Sequence, residues 1–219
     1  MTTSPTDEPA WKQRAVERSL RTAKLRAELR VQRFLDAARA IITEKGSTDL
    51  TVQEVVDRSH QSLRSFYLQF DGKHELLLAL FEDSLNQAAE QIRADTAETP
   101  APLDRLRMAV ELLFERCRPD PATRRPLFTD FAPQLLASHP AQVKIAHTGL
   151  LALFTELMTA AQAAGGVRPD ITPRRMAALV MQTVMFTAQS PGHPDRIGPQ
   201  AITADEVWNL CALGVTCQE

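Results

Sequence analysis

The segment formed by residues 51–76 contains two short amphipathic helices joined by a tight polar turn. Thr51 is a residue type that caps helix N-termini, and valines follow it at helical spacing along one face. A Ser-His-Gln-Ser tetrad interrupts this helix, and its last residue, Ser62, can cap a second helix in which Phe66 and Phe70 share an apolar side. An Asp-Gly pair then ends the segment. The pattern predicts a helix-turn-helix.

The second helix of this pair carries polar side chains on its outward face. Leu63 falls on the apolar side, whereas Arg64, Ser65, Tyr67 and Gln69 face outward or flank that side. A helix of this size fits the DNA major groove, where an arginine can bond both acceptors of a guanine edge. The alternative is a purely structural helical hairpin inside an all-α domain.

This region resembles the DNA-binding domain of the tetracycline-repressor (TetR) family of bacterial transcription regulators. The resemblance covers residues 30–80. It rests on FLDAARAIITEKG at 34–46, TVQEVV at 51–56, FYLQF at 66–70 and KHELL at 73–77. Together these segments are specific, although each alone is weak.

The turn departs from the family pattern. Ser59, His60 and Gln61 stand where the family usually has a small residue, a glycine and a hydrophobic residue. His60 therefore occupies the position of the residue best suited to a positive φ. This departure bears on the turn geometry and on operator preference.

The polar residues of the helix-turn-helix divide into base-reading and phosphate-binding candidates by their reach. Arg64 is the first candidate for a base contact, Ser65 the second, and Gln61 a further one. The phosphate candidates, which would set the register without reading sequence, are Thr51, Ser62, Tyr67, Gln69 and Lys73. The family resemblance supports Tyr67 and Lys73 in that role. Since one unit reads only a few base pairs, we expect a homodimer on a near-palindromic site.

The composition predicts an all-α protein. Of its 219 residues 5% are aromatic and only 8 are glycine, and no stretch shows sustained β alternation. No apolar run reaches the roughly 18 residues that a membrane span needs, and the polar N-terminus is not a secretion signal. Three scattered cysteines, Cys117, Cys211 and Cys217, fit a reducing cytoplasm better than a disulfide framework.

We expect three parts along the chain. Residues 1–29 form a basic N-terminal extension, residues 30–76 a three-helix helix-turn-helix DNA-binding domain, and residues 77–219 a helical ligand-binding and dimerisation domain. Further helices are predicted at 31–45, 73–97, 103–118, 141–164, 173–189 and 203–216, with a short one at 127–137. The helix at 73–97 is long enough to connect the DNA-binding domain, the reading head, with the rest of the chain, the body.

Three residues mark helix ends by their type. Gly46 is expected to end the helix at 31–45 as a C-cap. Thr203 and Glu206 are expected to form a capping box at the start of the last helix.

The charge is unevenly divided along the chain. The formal net charge is −2, yet residues 11–76 hold 13 Lys or Arg against 9 Asp or Glu, and residues 77–219 hold 12 against 16. Because phosphate attraction is local and screened over about 8–10 Å, a basic end on an acidic body can bind DNA.

Residues 11–33 are the most basic segment, with 8 basic and 2 acidic side chains. Within it Arg14, Arg18, Arg21 and Lys24 are candidates for contacts with phosphates or the minor groove. A solvated helical extension is the alternative, and the sequence leaves both open.

The last two helices are the expected dimer interface, as the family resemblance implies a four-helix interface there. The candidates are Met176, Leu179, Val180, Thr183, Val184, Thr187, Trp208, Leu210, Cys211 and Val215. The alternative for each is an ordinary place in the core.

The resemblance also implies a ligand cavity among the middle helices. Its apolar candidates are Phe114, Phe128, Phe131, Leu135, Phe154, Met158, Met185 and Phe186. Its polar candidates are Gln134, His147 and Gln189. Such a lining suits an apolar small molecule with a few polar handles, and core packing is the alternative.

The sequence contains no catalytic or metal-binding motif. The five histidines are dispersed, and there is no Cys-x-x-Cys or phosphate-binding glycine loop, so we expect neither an enzyme nor a cofactor. The predicted function is a sequence-specific transcription regulator, a repressor released from a palindromic operator by an apolar effector. The alternative is a helical ligand- or protein-binding module. The basic segment beside the motif favours DNA.

Overall fold

The computed structural model describes residues 9–118, 131–132, 134–135, 139–189 and 202–216. The regular secondary structure in these ranges is helical, as predicted, apart from one isolated antiparallel bridge between Val167 and Thr216. The helices are α1 (Ala10–Lys45), α2 (Val52–Ser59), α3 (Leu63–Tyr67), α4 (Lys73–Asp95), α5 (Pro102–Cys117), α6 (Pro140–Ala146), α7 (Thr148–Ala163), α8 (Pro173–Ala188) and α9 (Ala204–Val215). None of these described helices is long and apolar enough to cross a bilayer.

The basic segment and the first core helix form one continuous helix, α1, of 36 residues. The residues before Val31 are exposed, with Ala27 half-buried, whereas Phe34, Ala38 and Ile41 are buried. Gly46 ends the helix as predicted, with φ 63 in the left-handed region, and its amide donates to a carbonyl of the last turn.

Helix α3 has only five residues and is held by a cluster of three aromatic rings. The Phe66 ring packs edge-on against Phe34 at 5.4 Å between centroids, and Phe70 lies 6.1 Å from Phe34. All three rings are buried. Leu63 was predicted on this apolar side and is exposed instead, because α3 directs only Phe66 into the core before it ends.

The helix predicted at 141–164 is two helices, α6 and α7, which meet at His147. The ring of His147 contacts Phe81 of α4 at 5.6 Å between centroids. Gly149 then lies directly against the side chain of Asn86, where a larger residue would meet it. Gly149 therefore lets α7 pass close to α4, and helical periodicity predicts neither this contact nor the break at His147.

Helix α4 connects the two ends of the molecule, as predicted. It packs against α1 on one side and against α5, α6 and α7 on the other. Arg39 of α1 is 2.6 Å from Asp83 of α4, and Arg93 near the far end of α4 is 2.6 Å from Glu156 of α7. Both halves of the protein are thus attached to one helix.

The predicted dimer residues divide between two faces of α8 and α9. Six are at most 8% exposed and fill the core of the single chain, so their assignment to a dimer surface is wrong: Met176, Val180, Val184, Trp208, Cys211 and Val215. Thr183 and Thr187 are half-buried. The exposed face is formed by Leu179 (59%), Phe186 (78%), Leu210 (62%) and Leu213 (71%). Both faces are apolar, so periodicity did not distinguish them.

The described cysteines are buried. Cys117 and Cys211 are thiols in the core that are not joined in a disulfide, and burial raises the pKa of the Cys211 thiol. Cys217 lies outside the described residues. At the start of α9, Thr203 and Glu206 form the predicted capping box.

Candidate nucleic-acid interface

Helix α2 is anchored by a reciprocal cap and by an ion pair with α1. The Thr51 hydroxyl accepts the amide proton of Glu54 at 3.2 Å, and the Glu54 carboxylate accepts the Thr51 amide proton at 2.7 Å. Lys45 donates to the same carboxylate at 2.6 Å. These hydrogen bonds, that of Lys45 foremost, lower the pKa of Glu54 from its ordinary value of 4.5 to about 2. The carboxylate is therefore ionised at neutral pH, and the cap persists there.

The turn adopts the positive φ for which the family pattern has a glycine, although this chain has His60 there. His60 has φ 53 and ψ 37, and it is the one non-glycine residue with positive φ in the described part of the chain. The amides of His60 and Gln61 donate back to carbonyls of the last turn of α2, at 3.3 and 3.2 Å. A histidine there costs about 1–2 kcal/mol relative to glycine, yet the turn is formed.

The reading helix α3 presents Arg64 and Tyr67 to solvent. Ser62 caps it by accepting the amide proton of Ser65 at 3.1 Å, as predicted. Arg64 is exposed and Tyr67 is 55% exposed, while Phe66 between them points inward. Arg64 forms no ion pair within the described residues. Its guanidinium is thus available for a base edge.

The other candidates differ in how far their polar groups are already used. The Thr51 hydroxyl donates to Glu54 at 3.0 Å, so its proton is engaged. Gln61 donates to the His60 carbonyl at 3.1 Å and, like Ser65 and Gln69, is half-buried. Ser62 is exposed, and its hydroxyl proton has no acceptor in the described part. Ser62 is therefore a better candidate for a phosphate contact than Thr51.

Lys73, at the first position of α4, faces Asp49. Its Nζ lies 3.6 Å from Asp49 Oδ1, and the Asp49 side chain is exposed. Asp49 could not be identified from the sequence, because it lies in the loop before α2 and no motif or helical spacing links it to Lys73. Asp49 and a DNA phosphate would compete for the same ammonium group.

The ligand candidates are mostly interior, and two of the described ones depart from the expectation. Buried ones are Phe114, Phe131, Leu135, Phe154 and Met158, while Met185, His147 and Gln189 are half-buried. Phe186 is on the exposed outer face of α8 and Gln134 is exposed, so the prediction that they line an internal cavity is wrong. Phe128 lies outside the described residues.

Two family models match the chain. Residues 34–80 match the model described as bacterial regulatory proteins of the tetR family. The chain belongs to the TetR family. In this TetR-family protein, residues 114–199 match the model of the C-terminal domain of SbtR-like transcriptional regulators. The chain is therefore a DNA-binding transcription regulator with a helical body.

Solved structures share this fold at low identity. FadR from Bacillus halodurans is 18% identical, with a TM-score of 0.63 over 84% of this chain and 95% of its own. Thermus thermophilus FadR, solved with lauroyl-CoA, is 22% identical, with a TM-score of 0.63 over 86% and 96%. RolR, solved with resorcinol, is 14% identical, with a TM-score of 0.61 over 87% of each chain. No curated protein sequence matches.

Removing either partner of the Lys73–Asp49 pair should change DNA affinity in opposite directions. Lys73→Ala should weaken binding to all sequences similarly and lower the salt slope by about 0.9, as expected for one lost phosphate contact. Asp49→Asn should strengthen binding by up to about 1 kcal/mol, the usual range of an exposed ion pair. Fluorescence anisotropy titrations at several salt concentrations measure both effects.

The control for Asp49→Asn is Asp71→Asn, which removes the same charge near the start of α4 and leaves the Lys73–Asp49 pair intact. Asp71→Asn should strengthen DNA binding less than Asp49→Asn does. Equal gains in the two variants would mean that Asp49 acts only through the net charge.

Proposed function

We propose that this TetR-family protein is a cytoplasmic repressor that binds a palindromic operator as a homodimer and is released by a small, largely apolar effector. Residues 30–76 would form the reading head, and residues 77–219 the sensing and dimerising body. The observation that carries the proposal is the outward orientation of Arg64 and Tyr67 on a helix whose position is set by buried aromatic packing.

Arg64 is the proposed base-reading residue. Arginine is planar and can donate two parallel hydrogen bonds to O6 and N7 of guanine in the major groove. The neighbouring exposed residues, Ser62 and Tyr67, would bind phosphates on either side and set the register of α3.

Arg64→Ala is expected to weaken operator binding by about 1–3 kcal/mol and to relax the choice of base at one position of each half-site. The operator is first recovered by selecting bound fragments from the source genome. Competition titrations against all four bases at each position then measure the preference.

Arg64→Lys is the matched control, since it keeps the charge and loses the bidentate geometry. It should retain non-specific affinity and still lose base preference. An unchanged base preference in both variants would refute the role of Arg64.

The exposed apolar face of α8 and α9 is the proposed dimer interface. Leu179 and Phe186 lie seven residues apart on one side of α8, and Leu210 and Leu213 lie on the adjacent α9. The two helices pack against each other, so the four exposed side chains lie on neighbouring helices. Exposed apolar patches of this kind mark interaction sites, and a two-fold dimer would place the patch against its own copy.

Leu213→Arg should convert the dimer to a monomer, because it places a charge at the centre of a desolvated contact. Sedimentation equilibrium measures the mass, and operator titration should show weaker binding to the full palindrome. The control is Ile145→Arg, which alters an exposed apolar residue of α6 outside this face. A dimeric Leu213→Arg protein would place the interface elsewhere.

The effector would act through α4. His74, adjacent to Lys73, has its ring 5.7 Å from that of Phe131, a ligand candidate. The ring of His147, another candidate, is 5.6 Å from that of Phe81 in the middle of α4. A ligand that moved either residue would therefore press on the helix that begins beside the DNA. By population shift it would favour a spacing of the two reading helices that no longer matches successive major grooves.

His147 can supply one directed polar contact to such a ligand. Its Nδ1 lies 2.7 Å from the Val143 carbonyl and must donate to it. Burial lowers the pKa of His147 despite this hydrogen bond, so the ring is neutral at pH 7. Its Nε2 is then an acceptor for a hydroxyl or amide of the ligand.

Lauroyl-CoA and resorcinol, bound by the structural neighbours Thermus thermophilus FadR and RolR, are the first compounds to test. A compound that raises Tm should weaken operator binding by about 5–150-fold, the usual range of allosteric coupling. His74→Ala should keep the rise in Tm and reduce the loss of operator affinity. A bound compound that leaves operator affinity unchanged would contradict release through α4.

A further inference from the structure

The N-terminal part of α1 projects from the reading head as a solvent-exposed helix. Residues 10–30 have no buried side chain, and α1 contacts α2 and α4 only through its later part. At 1.5 Å per residue, the segment from Arg14 to Arg33 is roughly 29 Å long. No tertiary packing of the described chain accounts for this length.

In the basic segment at residues 11–33, the extension with the four residues that follow it, six arginines form two rows, each at i, i+4, i+7 spacing. The outer row is Arg14, Arg18 and Arg21, and the inner row is Arg26, Arg30 and Arg33. Residues at this spacing lie on one face of a helix. Each row therefore presents three positive charges in a line along the helix axis, and all six side chains are exposed.

The arginines of both rows form no ion pair within the described residues. Many cations beyond this segment do pair with a carboxylate, among them Arg39, Lys45, Arg58, Lys73, Arg93, Arg107, Arg116 and Arg168. The rows thus carry charge that the protein itself does not neutralise.

The inner row begins beside the helix-turn-helix. Phe34, next to Arg33, packs against Phe66 of the reading helix. Arg33 itself lines a shallow cleft whose opposite side is formed by Arg58, Ser59 and His60, at the end of α2 and in the turn. The extension therefore emerges from the part of the domain that holds α3.

The exposed apolar residues of the extension do not form a single face. Leu20 is two heptads before Phe34 and so lies on the side that continues into the core. Leu25 is five residues further on, about 140° around the helix, and Trp11 is two heptads before Leu25. A helix that lies on a membrane needs one apolar face. The spread of the apolar residues therefore does not fit a helix that lies on a membrane.

We propose that the extension is a second DNA-binding element, which contacts backbone phosphates outside the operator through the inner and outer rows. The proposal rests on the proposed function. The length of the rows corresponds to about eight base pairs of duplex at 3.4 Å each. These contacts add affinity and salt dependence, and they read no sequence.

Two triple variants of the full chain test the proposal, one with each row changed to glutamine. Circular dichroism confirms that the helix is retained, which glutamine favours. Binding is measured on duplexes trimmed to the operator and on duplexes with about twelve extra base pairs per side, to cover the eight-base-pair reach. The matched control changes exposed cations of the body, Lys144, Arg174 and Arg175, to glutamine.

The wild-type chain should bind the flanked duplex at least about tenfold more tightly than the trimmed one, with a salt slope steeper by about 0.9 for each phosphate contact that the rows add. Each row variant should lose part of this gain, and the body variant should keep it. Changing the inner row to lysine, which keeps the charge, should restore most of it.

Equal binding of both duplexes by the wild-type chain would overturn the proposal. A membrane role would also overturn it. In that case the wild-type chain, but not the row variants, would sediment with vesicles of phosphatidylcholine and phosphatidylglycerol, and the flanked duplex would bind no more tightly than the trimmed one. The Arg64→Ala variant separates the two claims. If it loses base preference while the row variants behave as wild type, the repressor function stands and the second element fails.

Discussion

The packing of Phe34 against Phe66 and Phe70 is the interaction on which the reading head depends. Helix α3 is five residues long, far below the length at which a helix is stable alone in water. It persists because burying an aromatic ring stabilises by about 1.5–3 kcal/mol, with edge-to-face contacts adding roughly 0.5–1.5 kcal/mol. The same burial turns Arg64 and Tyr67 outward, since they flank Phe66 on a short helix. Folding and recognition therefore have one physical cause.

A second constraint is that both halves of the protein pack on α4. Its start carries Lys73 beside the DNA-facing surface, its middle contacts α1 through Asp83, and its far end is held by Glu156 of α7. Close-packed helices shift as units and deform little. Under the proposed release mechanism, a rearrangement of the body around Phe131 or His147 would be transmitted along this helix and would connect a ligand to the operator without direct contact.

Local chemistry made the helix ends predictable. Thr51, Ser62 and the Thr203–Glu206 pair cap helices through groups two or three residues away, so the pattern alone contains the interaction. Gly46 and His60 adopt positive φ where the turn requires it. The base-reading and phosphate candidates followed from the same short segment. The exposure of Leu63 was not predictable in this way, because five residues are too few for periodicity to separate the buried face of α3 from the exposed one.

The sequence by itself determined the all-α class and the helix-turn-helix, because each depends on contacts within a few residues. Tertiary structure decided the break at His147, the inward face of α8 and α9, and the pairing of Lys73 with Asp49. Helices α8 and α9 are apolar on two sides, so only their packing against the rest of the body selects which side is core. The Lys73–Asp49 pair joins residues 24 positions apart. Such a contact forms only when the chain folds, so a local sequence pattern cannot predict it.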